Sequence, residues 1–270
     1  MPELPEVETT VRGLEKVLHG ARLVRVQARR PDLRRPFPAD LGQRLTGAQI
    51  TGLGRRAKYG LIDTDRGDTM IFHLGMSGRW RIDPDAIGKH DHLLIETDGG
   101  HRLALNDARR FGSVDLWPSD DLLRFPGFAG MGPEPLGDSF DAAGLHAALK
   151  GRMAPVKAML LDQRIVAGLG NIYVCEALNM AGIAPDRPAG RISRARLDRL
   201  VPAIKSVLQA AIMAGGSTLR DYARPDGELG YFAKDWRVYG REGEKCPCGG
   251  TVQRLVQGGR STFHCRTCQR

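Results

Sequence analysis

Apolar residues recur at three- and four-residue steps through Leu4, Val7, Val11, Leu14 and Leu18, a spacing that predicts an amphipathic helix ending near Gly20. From Arg22 to Trp117 the period falls to two, and short apolar runs alternate with glycines. Within that stretch His92 to Thr97 and Arg102 to Leu105 flank Asp98-Gly99-Gly100 and read as a hairpin. Several such strands in succession predict an antiparallel sandwich. Pro118 to Gly137 is rich in proline and glycine and reads as a linker. The pattern then turns helical, most clearly at Leu197, Leu200, Val201, Ile204, Val207, Leu208, Ala211 and Ile212, with Gly215-Gly216 as a stop. The expected class is α+β. An N-terminal antiparallel β-sandwich with its leading helix occupies residues 1–133, a helical domain 134–230, and a small cysteine-bearing hairpin unit 231–270.

Length and charge narrow this picture. A chain of 270 residues accommodates about two domains, and 41% hydrophobic content is enough for their cores. The net charge of +9 calls for a polyanionic partner, nucleic acid or an anionic membrane. No apolar run approaches the roughly 18 residues of a spanning helix. Glu3, Glu6 and Glu8 stand where a secretory signal would be basic, so a cytoplasmic protein is expected.

Four of the five cysteines fall near the end: Cys246-Pro-Cys248, sixteen residues, then Cys265-Arg-Thr-Cys268. Two close thiolate pairs suit one structural zinc ion per chain, in tetrahedral coordination. Disulfides or free thiols are the other readings, and a reducing compartment disfavours the first. The C-x-C spacing departs from the usual C-x-x-C turn, which leaves His264 as a substitute ligand to weigh. Cys175, in an apolar helical stretch, is expected in the core. Residues 231–270 hold eight basic and three acidic residues. Gly258-Gly259 would present Arg260 from a turn, either to phosphate or to solvent.

Four further segments carry candidate chemistry. With Met1 removed, Pro2 would be a secondary amine of pKa near roughly 7.7, nucleophilic at neutral pH, and Glu3 beside it could move the proton; an inert N-terminus is the ordinary alternative. Ala167-Gly-Leu-Gly-Asn171 restarts a helix after two glycines, which is either a tight turn or an anion site. Met76, in His73-Leu-Gly-Met-Ser-Gly78, and Phe111, in Asp107-Ala-Arg109-Arg-Phe-Gly112, are either core residues or wedges that fill a gap in a duplex.

These segments occur in a particular order. Pro2-Glu-Leu-Pro-Glu-Val-Glu-Thr9 comes first, followed by Arg56-Ala-Lys58-Tyr59, the His73 and Asp107 segments with Lys89-His-Asp-His92 between them, Gly132-Pro-Glu-Pro-Leu136, Ala167 to Tyr173, and Gly259-Arg-Ser-Thr-Phe263. From residue 2 to about 268 the sequence resembles bacterial formamidopyrimidine-DNA glycosylase. The resemblance implies a bifunctional glycosylase and lyase acting on oxidised purines in damaged double-stranded DNA, monomeric, with no membrane and no obligate protein partner. It implies a helix-two-turns-helix motif and a zinc β-hairpin held by Cys246, Cys248, Cys265 and Cys268. Pro2 would be the nucleophile, Glu3 the acid with Glu6 in support, Lys58 the lysine of β-elimination and Arg260 the phosphate-holding arginine of δ-elimination. His90, Arg109, Arg152 and Asn171 would contact DNA. Met76, Arg109 and Phe111 would fill the space of the extruded base, and Ser217 to Tyr231 would cover that base. An endonuclease VIII-like enzyme preferring oxidised pyrimidines and a non-catalytic zinc DNA-binding protein are the competing classes; the Arg109-Arg110-Phe111 wedge argues against the former.

Overall fold

The computed structural model describes residues 2–217, 225 and 232–270. They form two compact units, residues 1–129 with 214–233 and residues 130–213 with 234–270. In the first, the predicted helix is α1 (Leu4–Leu18), which buries Leu4, Val7, Val11, Leu14 and Leu18. Glu3 is its N-cap, and Glu3 and Glu6 form a capping box in which each side chain accepts a backbone N–H of the other.

Eight strands follow: β1 (Leu23–Ala28), β2 (Ile50–Arg56), β3 (Tyr59–Thr64), β4 (Asp68–His73), β5 (Arg79–Ile82), β6 (Asp91–Thr97), β7 (Arg102–Asn106) and β8 (Ser113–Pro118), with a short helix α2 (Leu41–Leu45) after β1. They pair antiparallel in two four-stranded sheets of order β1-β6-β7-β5 and β2-β3-β4-β8. The two sheets share one core, in which the Phe72 and Trp80 rings meet edge to face at 5.7 Å. The expected hairpin is β6–β7, with Ile95 opposite Leu103. Alternation holds in β3 but not in β6, which is buried along most of its length. The expected linker is packed instead. Residues 119–128 fold as two 3-10 turns, and Phe125 is buried against the rings of Tyr59, Trp117 and Phe128. An aromatic residue that can be buried outweighs the breaking tendency of its neighbours.

The second unit holds α3 (Ala142–Leu149), α4 (Val156–Leu161), α5 (Asn171–Ala181), α6 (Arg194–Met213) and the hairpin β9 (Gln253–Gln257) and β10 (Arg260–His264). Pro202 lies inside α6, a position that usually costs about 3 kcal/mol. The helix continues because Leu197, Leu200, Val201, Ile204, Val207, Leu208 and Ala211 are all buried along one stripe. Gly215 and Gly216 follow it with positive φ. The hairpin does not form a core of its own. Cys175 on α5 packs with Val238, Val252, Cys246 and Cys265, so the expected boundary at 231 cuts through a shared core. Residues 214–217 join the first unit, where the Ser217 N–H donates to Glu6 Oε1 at 2.8 Å. Apart from Ser217 and Pro225, the segment compared with a base cover lies outside the described residues. Among the described residues no helix is long and apolar enough to cross a membrane.

Candidate active site

Pro2 and Glu3 are both buried at the head of α1. The Glu6 carboxylate holds this end, accepting the Glu3 N–H at 2.9 Å on one oxygen and the Ser217 N–H on the other. Lys58 is buried in the two-residue turn between β2 and β3, where Arg56 pairs with Tyr59. Arg55 fixes that turn, donating Nη1 to the Ala57 carbonyl at 2.8 Å and Nε to Glu8 at 3.0 Å. Glu8 is on α1 and also binds Arg12, so a single carboxylate couples the helix to the lysine turn. The sequence contained Glu8 and Arg55 but gave no sign of this link.

The wedge candidates are not core residues: Met76 is 37% and Phe111 43% exposed. Their loops meet on Asp107, itself fully buried. Its Oδ1 accepts from Ser77 Oγ at 2.7 Å, its Oδ2 from the Gly112 N–H at 2.8 Å, and its N–H donates to the His90 carbonyl at 2.9 Å. Ser77 Oγ in turn accepts the Arg109 N–H. Gly75 has φ +62, and a Cβ there would lie 2.3 Å from the Phe111 carbonyl carbon, so the two loops touch backbone to backbone. Arg109 lies over the Phe111 ring, 4.9 Å from its centroid. His90 is half-buried beside these loops.

His73 lines a cavity of about 290 Å³ together with Arg34, Arg35, Tyr59, Phe111 and Ser113. Burial, then the charges of Lys58, Arg34 and Arg35, push its pKa down to about 4. Geometry agrees: Nδ1 accepts the Gly75 N–H at 3.0 Å, so the neutral ring carries its proton on Nε2.

In the second unit, Asn171 opens α5 and its Nδ2 donates to the Ser261 carbonyl at 2.9 Å, next to Arg260. The same carbonyl accepts from Lys157 Nζ, a fully buried amine that also binds Thr262 Oγ1. Arg260 is exposed beyond the Gly258-Gly259 turn, whose φ values of +54° and +73° require the mirror-image turn of a tight hairpin. The Glu176 carboxylate accepts the N–H groups of Arg237, Val238 and Tyr239, which sets the Tyr239 ring against Phe263. One backbone donor of the glycine loop before Asn171 is taken within the loop itself. Residues 166–170 are buried, and Gln163 takes the Gly168 N–H at 2.8 Å and donates to the Leu169 carbonyl. Arg152 is exposed after α3 and is held through its backbone, donating to Leu149 O and accepting from Gly190 N–H.

Cys246, Cys248, Cys265 and Cys268 converge with all four Sγ atoms within 4.8 Å of one another, a group that can hold a metal ion. The Cys246–Cys268 and Cys248–Cys265 sulfur separations are 3.8 and 3.6 Å. Both are far longer than a disulfide bond and close to the edge of a tetrahedron with metal–sulfur distances of about 2.3 Å. The short C-x-C pair closes through the Gly249 N–H to the Cys246 carbonyl and the Cys246 N–H to the Gly250 carbonyl. His264 is not one of the four; it lies buried in β10, its pKa lowered by that burial.

The sandwich with a Pro-Glu-led helix and the helical unit with a four-cysteine hairpin define a helix-two-turns-helix DNA glycosylase architecture. Residues 1–114 match the formamidopyrimidine-DNA glycosylase N-terminal domain model and residues 131–223 the H2TH domain model of that family. Formamidopyrimidine-DNA glycosylases of Rhizorhabdus wittichii and Novosphingobium aromaticivorans are 72% and 68% identical to this chain, with 100% of each chain covered. The structure of Lactococcus lactis Fpg in complex with an abasic site containing DNA superposes with TM-score 0.92 at 36% identity, covering 100% of both chains. The MutM (Fpg) protein of Thermus thermophilus gives 0.89 at 40% identity over 99% of this chain and 98% of its own. The chain belongs to the formamidopyrimidine-DNA glycosylase family.

Proposed function

We propose that this protein excises oxidised purines, 8-oxoguanine and formamidopyrimidines, from double-stranded DNA and then cleaves the strand at the abasic site. The observation that carries the reading is the buried Pro2-Glu3 pair at the capped start of α1, in a chain of this family. The Pro2 amine, freed by loss of Met1, attacks C1′ of the damaged nucleotide. The N-glycosidic bond breaks toward the base, and the sugar C1′–O4′ bond opens as Glu3 delivers a proton to O4′, leaving an iminium on Pro2. The iminium draws electrons from C2′, so that Lys58 assists loss of the 3′ phosphate by β-elimination and Arg260 assists loss of the 5′ phosphate by δ-elimination. His90, Arg109, Arg152 and Asn171 contact DNA. Met76, Arg109 and Phe111 occupy the space of the extruded base, an extrusion that costs a few kcal/mol.

The four cysteine thiolates hold one zinc ion. Zinc there supplies folding free energy and no step of the reaction. The protein works as a monomer on DNA in the cytoplasm. Borohydride trapping on duplexes carrying 8-oxoguanine, thymine glycol or an abasic site tests the reading, with peptide mapping of the adduct. A covalent adduct at Pro2 is expected with the abasic site and with 8-oxoguanine, and faster with 8-oxoguanine than with thymine glycol. DNA binding without any adduct would return the protein to the non-catalytic class, and preference for thymine glycol would place it with the pyrimidine enzymes.

A further inference from the structure

Asn179 stands on α5 with its side chain buried, and its amide has partners on every side. Nδ2 lies 3.6 Å from Cys246 Sγ, 3.6 Å from Cys268 Sγ and 3.0 Å from Gln269 Oε1. Oδ1 accepts from Arg237 Nε at 2.9 Å. Both ends dictate this orientation. A guanidinium only donates, so the atom facing Arg237 must be oxygen. Gln269 Oε1 also receives the Cys265 N–H at 2.8 Å while its Nε2 donates to the Ile183 carbonyl, so Gln269 can only accept from Asn179. The group turned toward the two sulfurs is therefore an N–H donor.

Four thiolates around a divalent cation leave two net negative charges in a half-buried site, an arrangement that needs donors to the sulfurs. The Gly250 N–H serves Cys248 at 3.4 Å. Cys246 and Cys268 share the Asn179 amide, which passes on the polarisation of the Arg237 charge without bringing that charge into the sulfur cluster. We propose that Asn179, backed by Arg237, is the hydrogen-bond donor that keeps Cys246 and Cys268 as tightly held metal ligands. The inference rests on the zinc reading above. It gives α5, the helix that begins at Asn171, a second task at its far end.

The test uses the intact metal-loaded protein. Elemental analysis of the wild type establishes one zinc, and metal release into excess chelator is then timed for wild type, Asn179→Asp and Arg237→Gln. Each is also loaded with cobalt(II) to read the sulfur-to-metal charge-transfer band. Asn179→Asp keeps the shape but sets a carboxylate oxygen where the donor stood, and release at least tenfold faster is expected, in line with the roughly 10- to 100-fold typical of lost supporting partners. Its cobalt band should move to lower energy, because sulfur relieved of a hydrogen bond donates more strongly. Arg237→Gln should move both readouts in the same direction by less; its backbone N–H keeps the Glu176 bond whatever the side chain. Because Arg237→Gln adds no charge beside the sulfurs, it separates loss of the donor's support from repulsion. Wild type without metal would overturn the zinc reading itself. Wild type with zinc, and variants matching it in release rate and band energy, would overturn this inference alone. If Asn179→Asp fails to fold, the same two measurements on Arg237→Gln decide.

Discussion

Ser77 Oγ donates to Asp107 Oδ1 at 2.7 Å, joining two loops thirty residues apart into one platform for Met76, Arg109 and Phe111. Asp107→Asn must set an N–H₂ against either the Ser77 hydroxyl or the Gly112 N–H, and a buried donor left unmatched costs about 1–3 kcal/mol. We expect lower stability by about that amount in urea titrations. Binding to duplex with an abasic analogue should also weaken, although Arg109 and Phe111 are unchanged. Unaltered stability and affinity would show that the two loops hold their places independently.

Glu3→Gln tests the proton. The variant should bind damaged duplex normally and excise the base about 10² to 10⁴-fold more slowly in single-turnover assays. Glutamine can still serve as the α1 cap acceptor, so the melting temperature should stay close to wild type. Near-normal excision would remove Glu3 from the chemistry.

His73 predicts a pH dependence of known sign. Its folded pKa of about 4 lies below the ordinary 6.5, so between these values the unfolded chain binds the additional proton. The His73 contribution is fully present above about pH 6.5 and is lost as pH falls toward 4. His73→Gln should therefore reduce the loss of stability between pH 7 and pH 4.5. The His73 ring resonance should titrate near 4, with no step between pH 6 and 8, and a midpoint near 6.5 would contradict the buried neutral ring.

Arg260→Ala and metal removal should weaken DNA binding by different routes. Loss of the side chain removes roughly one phosphate contact, lowering the slope of log K against log salt by about one while the hairpin stays folded. Chelation should loosen β9 and β10 themselves and reduce the slope further, because Arg254 on β9 and Arg266 just after β10 belong to the same unit. Metal-free protein that binds with an undiminished slope would mean that strand pairing and the Lys157 and Asn171 bonds to Ser261 suffice.

Local signals carried far in this chain. The apolar spacing of Leu4 to Leu18 gives α1 with those bounds, and two glycines gave the turn that presents Arg260. What stayed illegible depends on partners distant in sequence. Gln163 braces the glycine loop by accepting the Gly168 N–H, and Phe125 turns a proline-rich stretch into packed structure. Asp107, Glu8, Lys157, Glu176 and Asn179 look like ordinary polar positions. Their importance comes from burial against backbone groups or sulfurs that no periodicity reveals.

Ala57, at φ +53, takes the first place of a two-residue turn where glycine is the usual occupant. A left-handed alanine costs about 1 kcal/mol, yet it leaves the backbone beside Lys58 far fewer conformations than glycine would. Ala57→Gly would suit the folded φ better while multiplying the directions in which the amine can point. With Lys58 in the role proposed for it, a stability-guided redesign would thus be drawn to a turn where relaxation and reactivity are at odds, and a melting curve alone would score that loss of aim as an improvement.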